Sequence, residues 1–180
     1  MLQKPQIAID LCNTVCNVNR QLEIQFHTKR SFGNYWIDGV TDSFFESTPS
    51  FFILPEVFPY AVESLQLLSR YYKITYLTAR PKVAEAATRY FLMQNRFPDG
   101  EIIFTNDKVS YFLDHHMFFA IDDAPKEIAG YHAHNIPVLI KAWDYNIGMG
   151  TRFEWKALYT YILYGNNVTD LFALSRSVTC

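Results

Sequence analysis

The sequence predicts an α/β domain: a central parallel sheet with helices on both faces. Three observations predict it. Short apolar runs that read as strands recur along the chain, as at Ile7-Ala8-Ile9 and Met117–Ile121. Stretches of helical spacing separate them. Four of the runs close on polar residues: Asp10, Thr78, Lys108 (a little past its strand) and the pair Asp122-Asp123. Strands alternating with helices favour a parallel sheet covered on both sides, with right-handed crossovers.

In chain order, Ile7, Ala8 and Ile9 form a strand buried on both faces, the pattern of a central parallel strand. Asp10 stands at its end, where open α/β sheets bind ligands. From Val15 to Leu54 no periodicity is clear, and the stretch is too long for a simple connection. It reads as an inserted small subdomain, partly helical around Asn17–Thr28. Pro55 opens a predicted helix through Val57, Tyr60, Ala61, Leu65 and Leu68. Lys73–Leu77 is the second strand, closing on Thr78-Ala79-Arg80-Pro81. A helix follows from Pro81 to Gln94, with Val83, Ala87, Tyr90 and Phe91 as its apolar stripe.

Pro98-Asp99-Gly100 is a turn, and Glu101–Phe104 is the third strand. Val109–His115 reads as one or two helical turns. Met117–Ile121 is the fourth strand. Pro125 starts a helix to about His134. Ile136–Ile140 is the fifth strand, and a last helix is predicted from Arg152 to Leu163. The division is a single domain over 1–180, with the insertion at 15–54 and a helical extension at 151–180. The aromatic C-terminal helix is read as packing or a homodimer surface.

Composition narrows the class. At 180 residues the chain can bury a proper core. A net charge of -2 gives no support to broad nucleic-acid binding, which wants a basic face. Cys12, Cys16 and Cys180 do not make a disulfide framework. Cys12 and Cys16 are read as small buried hydrophobes rather than a redox pair. No signal peptide precedes Ile7 and no run approaches a membrane span, so the expectation is a soluble cytoplasmic protein.

Parallel strands would bring the four polar ends to one sheet edge. Each alone has a plain structural reading as a cap or a solvated lysine. Together they describe a phosphoryl-transfer site. Adjacent acids repel unless a cation sits between them and Asp10. Carboxylates suit Mg²⁺, which keeps waters and takes a substrate phosphate. A hydroxyl and an ammonium would hold the remaining phosphate oxygens.

The order apolar strand–Asp10, Tyr76-Leu77-Thr78, Lys108, then Ala120-Ile121-Asp122-Asp123 resembles the four motifs of the haloacid dehalogenase (HAD) superfamily of phosphohydrolases. Leu77–Pro81, Ile121–Pro125 and Asp144-Tyr145-Asn146 resemble more narrowly the 5'(3')-deoxyribonucleotidase-like branch. That resemblance implies a Rossmannoid three-layer sandwich with a small helical cap inserted after the first strand, where residues 15–54 lie. It implies Asp10 as the nucleophile that becomes an aspartyl-phosphate. It implies Mg²⁺ held by Asp10, the backbone carbonyl of Cys12, Asp122 and Asp123. Thr78 and Lys108 would bind phosphate, with Lys108 also offsetting charge on Asp10. The implied partner is a phosphorylated small molecule such as a nucleoside monophosphate.

One position departs from the family pattern Asp-x-Asp. Cys12 replaces the second Asp, which in the family protonates the leaving oxygen and later activates water. Such acid–base catalysis is worth ~10²–10⁴-fold. Three readings stay open. Cys12, or a cap residue such as His27, serves a substrate with a good leaving group. Water is activated in another way and turnover is slow. Or the protein keeps the fold as a catalytically weakened phosphate- or nucleotide-binding, regulatory module. Phe26, Tyr35, Trp36, Phe44 and Phe45 are candidates to stack a base, and Lys29 and Arg30 to meet a second phosphate.

Overall fold

The computed structural model describes residues 4–172, so Cys180 and the end of the predicted 151–180 extension lie outside the described residues. Six strands form one sheet: β1 (Gln6–Ile9), β2 (Lys73–Thr78), β3 (Glu101–Phe104), β4 (Ala120–Asp122), β5 (Val138–Lys141) and β6 (Arg152–Phe153). Every neighbouring pair is parallel, in the order β3-β2-β1-β4-β5-β6. Among the described residues seven helices accompany it: α1 (Val18–Gln25), α2 (Asp42–Ser47), α3 (Ala61–Leu68), α4 (Glu85–Gln94), α5 (Lys108–Asp114), α6 (Pro125–Ala133) and α7 (Trp155–Leu163). Short 3-10 turns occupy Pro49–Ile53, Lys82–Ala84 and Asp144–Asn146.

The pleat of the sheet sorts side chains into two cores. Ile7, Ile9, Ile74, Tyr76, Ile121 and Leu139 face one cluster, to which α1, α3, α4 and α7 contribute Leu22, Leu65, Phe91 and Trp155. Ala8, Leu77, Ala120, Val138 and Ile140 face the other, closed by Phe112 of α5 and by Ile128 and Tyr131 of α6. A sheet buried on both faces accounts for β1 as an uninterrupted apolar run. The three-layer α/β sandwich is therefore as predicted.

Within residues 15–54, α1, α2 and the Pro49–Ile53 turn bury Val18, Leu22, Phe45, Phe51 and Phe52 in the same cluster that holds Ile7 and Ile9. Phe44, Phe45, Phe51 and Phe52 pack as a ring-on-ring group beside α4.

Several element boundaries differ from expectation. The helix predicted from Pro55 begins only at Ala61. Val57 instead bridges Cys16 in antiparallel fashion, and Asn17 N–H donates to the Glu56 carbonyl at 2.8 Å. Pro59 follows, and Tyr60 adopts the left-handed conformation, so the chain enters the helix late. The predicted stripe of α4 is rotated: Val83 and Tyr90 are exposed, while Thr88 and Leu92 are buried with Ala87 and Phe91. The β4 ladder is shifted to Ala120–Asp122 from the predicted Met117 start. The last helix starts at Trp155, because Arg152 and Phe153 are drawn into a sixth strand beside β5. A two-residue strand is too short to show a period.

No helix among the described residues is long and apolar enough to cross a membrane.

Candidate active site

From β1 the chain builds β2 and β3 toward one edge, then crosses back to build β4, β5 and β6 toward the other, so β1 and β4 flank the switch point. In this topology the crevice beyond their carboxyl ends is the expected ligand site. Asp10 follows β1, and its N–H donates to the Ile121 carbonyl of β4 at 2.9 Å. That bond aligns Asp10 with Asp122 and Asp123 at the neighbouring strand end. Asp10, Asp122 and Asp123 are all buried, and each offers an oxygen within 4.8 Å of the others.

Lys108 is the first residue of α5. Asp107 caps that helix by accepting the Ser110 N–H at 3.1 Å. Lys108 Nζ reaches Asp10 Oδ1 at 2.6 Å and Asp122 Oδ2 at 2.9 Å. The second Asp122 oxygen accepts the N–H groups of Asp123 and Ala124 at 2.8 and 3.0 Å. Asp122 thus turns the chain into α6 and holds the lysine with its other oxygen. Asp123 accepts the Thr14 hydroxyl at 2.6 Å and the Tyr145 hydroxyl at 2.5 Å. Asn146 Nδ2 donates to the backbone carbonyls of Asp123 and Lys141, both at 2.9 Å, which fixes that corner.

The electrostatics follow from three buried acids facing one ammonium. Burial pushes Asp10 up to about 6, with Lys108 pulling down and Asp122 adding to the rise. Asp123 is held well above the carboxylate range by burial, then by Asp10 and Asp122. Burial alone would lower Lys108, but Asp10 and Asp122 outweigh it and hold it firmly charged. A hard divalent cation with oxygen ligands fits this donor set, because it supplies the missing positive charge. One more donor is free in the loop. The carbonyls of Leu11, Asn13 and Thr14 accept hydrogen bonds, from Val15 and Cys16, Trp143 and Trp155. Among the described residues nothing donates to the Cys12 carbonyl.

A cavity of about 690 Å³ opens above these groups. Asp10, Cys12, Thr78 and Lys108 line its floor; Tyr35, Trp36, Asp42, Phe45 and Glu46, all between β1 and α3, line its wall. All the predicted site residues are thus gathered at one place, with Asp122 and Asp123 just behind the lining. The predicted periphery is not. His27 and Phe26 are exposed and do not line the cavity, and Phe26 packs edge-on against Phe44. Lys29 pairs with Glu23 at 3.2 Å. Arg30 pairs with Asp144 at 2.6 Å and lies over the Trp143 and Tyr145 rings. Neither cation lines the cavity. His115, His116, His132 and His134 are exposed.

Sequence reasoning missed Arg80, Thr14 and Tyr145. Arg80 is buried, with Nε 3.2 Å from Cys12 Sγ, Nη2 3.5 Å from Cys16 Sγ and Nη1 3.2 Å from Thr88 Oγ1. It also lies over the Phe52 ring at 4.5 Å. No carboxylate pairs with it among the described residues. Its place one residue before Pro81, in the tail of a strand-end motif, was the available signal. Burial raises the Cys12 thiol, with Arg80 pulling the other way, so Cys12 stays neutral with its sulfur turned to the guanidinium. Cys16 is raised further by burial.

No family model matches the chain. It is 30% identical over 117 residues to a candidate nucleotidase of Oceanobacillus iheyensis, covering 62% of this chain and 58% of that one. It is 33% identical over 95 residues to a candidate nucleotidase of Bacillus cereus, covering 49% and 50%. The matches thus span about half the length of these curated relatives. Among solved structures, a haloacid dehalogenase-like family hydrolase from Streptococcus pneumoniae superposes with a TM-score of 0.58 at 13% identity, covering 88% of this chain and 98% of that one. A candidate phosphoglycolate phosphatase from Lactobacillus plantarum gives 0.58 at 13%, covering 91% and 99%. The chain has the fold of the haloacid dehalogenase-like hydrolases, and its sequence is similar to candidate nucleotidases.

Proposed function

We propose that this protein is a Mg²⁺-dependent phosphomonoester hydrolase of the nucleotidase type, acting in the cytoplasm on a phosphorylated small molecule. The observation that carries the reading is Asp10, held 2.6 Å from Lys108 beside Asp122 and Asp123 at the base of a cavity. In this reading Asp10 attacks phosphorus. The P–O bond to the alcohol breaks and an aspartyl-phosphate forms, which splits one hard displacement into two easier ones. The Thr78 hydroxyl and the Lys108 ammonium hold the non-bridging oxygens and offset their charge. Asp10, Asp122, Asp123 and the Cys12 carbonyl would hold the cation. When bound, Mg²⁺ shields phosphate charge from the approaching carboxylate and templates in-line geometry. Thr14 and Tyr145 keep Asp123 in place.

The cavity wall supports a nucleoside monophosphate, because Tyr35, Trp36 and Phe45 offer faces and edges to a planar base. A second reading rests on Cys12. Its sulfur is engaged by Arg80 where the family carries an acid, which favours a binding or regulatory protein. Phosphate release from a panel of nucleoside monophosphates with Mg²⁺ tests both. The enzyme reading expects turnover that disappears in Asp10→Asn. Silence in the wild type, with activity gained in Cys12→Asp, would replace it by the second reading.

A further inference from the structure

A hydrolase of this kind needs a proton at the leaving oxygen, and Cys12 is poorly arranged to give it. Its sulfur accepts the Arg80 Nε–H at 3.2 Å. Lys108 is locked between Asp10 and Asp122, and His27 is exposed outside the cavity. Another proton-bearing group shares the cavity with Asp10 and Cys12: the phenol of Tyr35. Its ring packs edge-on against Tyr145 at 5.1 Å, the residue whose hydroxyl holds Asp123. It also packs edge-on against Trp36 at 4.5 Å. Those two contacts hold the Tyr35 side chain on the wall of the cavity that Asp10 and Cys12 also line. Among the described residues its hydroxyl has no hydrogen-bond partner.

The loop that carries Tyr35 is fastened. Asp144 accepts Arg30 Nη2 at 2.6 Å and the Gly33 N–H at 2.7 Å. Gly33 sits at φ +82, a conformation that glycine adopts without strain. The clasp closes just before Tyr35, so this stretch of the cavity wall is tied down rather than left as a free loop. Glu127, another acid on the cavity lining, lies in α6 with the Lys126 ammonium 4.0 Å from its carboxylate.

Resting on the hydrolase reading, we propose that Tyr35 takes the role left vacant by Cys12 and is the proton donor and acceptor of the reaction. As Asp10 bonds to phosphorus and the ester P–O bond breaks, the electron pair leaves with the alcohol oxygen. That oxygen takes the phenolic proton, giving free alcohol and tyrosinate. Water then attacks the aspartyl-phosphate, its proton passes to the tyrosinate, and Asp10 leaves as carboxylate. Inorganic phosphate is released and Tyr35 is restored. The proton moves as the P–O bond breaks, when the departing oxygen is at its most basic, and burial keeps the phenol protonated until then.

Tyr35→Phe keeps both ring contacts and removes only the hydroxyl. An unchanged melting temperature would show that it folds. The assay compares a nucleoside 5'-monophosphate with p-nitrophenyl phosphate, whose nitrophenolate leaves without needing a proton. The expected result is a loss of about 10²–10⁴-fold in kcat on the nucleotide. On the aryl ester the expected result is a burst of nitrophenolate close to one per enzyme, with phosphate trapped on Asp10 by mass spectrometry. Equal losses on both substrates without a burst would overturn the assignment. So would a leaving-group-dependent loss in Cys12→Ser or Glu127→Gln while Tyr35→Phe turns over normally. If wild-type protein releases phosphate from neither ester, the hydrolase reading itself falls, and this assignment with it.

Discussion

The floor and the wall of the cavity are built in opposite ways. The floor hangs from strand ends and the first turn of α5. Asp10, Lys108, Asp122 and Asp123 are at most 5% exposed and are tied to one another and to backbone. The wall comes from a loop and from α2. Tyr35 and Trp36 are half-buried, and Asp42 and Glu46 are exposed without ion-pair partners among the described residues. Buried charges in contact must be mutually satisfied, so the floor tolerates one arrangement. Apart from Phe45, which belongs to the core, wall residues meet solvent or ligand and can vary with little cost to the fold. On the proposed reading the floor carries the phosphoryl transfer, and the wall carries substrate choice together with the Tyr35 proton.

That contrast can be broken first at the floor. Lys108→Met leaves Asp10 and Asp122 buried without their cation. It should cost about 3–5 kcal/mol of stability, read from the denaturant midpoint. A cost under 1 kcal/mol would mean that the floor is not electrostatically closed. Next, Mg²⁺ should stabilise the folded protein by about 2.7 kcal/mol at a hundredfold excess over its Kd, with the gain much reduced in Asp123→Asn. Thermal unfolding with and without the ion checks this independently of turnover.

The seam between floor and wall should respond more weakly. Asp144→Asn weakens the clasp on Arg30 and Gly33 and should cost about 1 kcal/mol near neutral pH. Burial would raise the Asp144 carboxyl, but Arg30 and the Gly33 N–H outweigh it and hold it below its ordinary value. A depressed folded pKa gives stability that is present above the unfolded value of about 3.9 and is lost as pH falls through the lower folded one. Asp144→Asn should therefore flatten the acid limb of a stability–pH profile below about pH 4. The smallest effect is expected at the wall. Trp36→Ala should raise KM for nucleoside monophosphates by about five- to tenfold while sparing small phosphate esters. Equal changes on both would detach the wall from specificity.

The chain itself made the floor legible. Asp10, Thr78, Lys108 and Asp122-Asp123 each follow a short apolar run, and parallel strands bring such ends to one edge whatever the details of packing. The wall was only half legible. Tyr35, Trp36 and Phe45 reach the cavity, whereas Phe26, Phe44, Lys29, Arg30 and His27 do not. Residues 26–41 carry no period, so nothing local says which way a side chain in that stretch points. Arg30 illustrates this: Asp144, which turns it from ligand to fastener, lies 114 residues further along the chain.

By itself, then, the sequence determined the layer order, the parallel sheet and the acids at its edge. Hydrophobic period and strand-end chemistry are local properties that survive translation into three dimensions. Only the tertiary structure decided that Arg80 sits between two thiols, that Thr14 and Tyr145 hold Asp123, and that Tyr35 lines one cavity with Asp10 and Cys12. Each of these joins residues from distant parts of the chain, and their partners are chosen by which surfaces the folded core brings together.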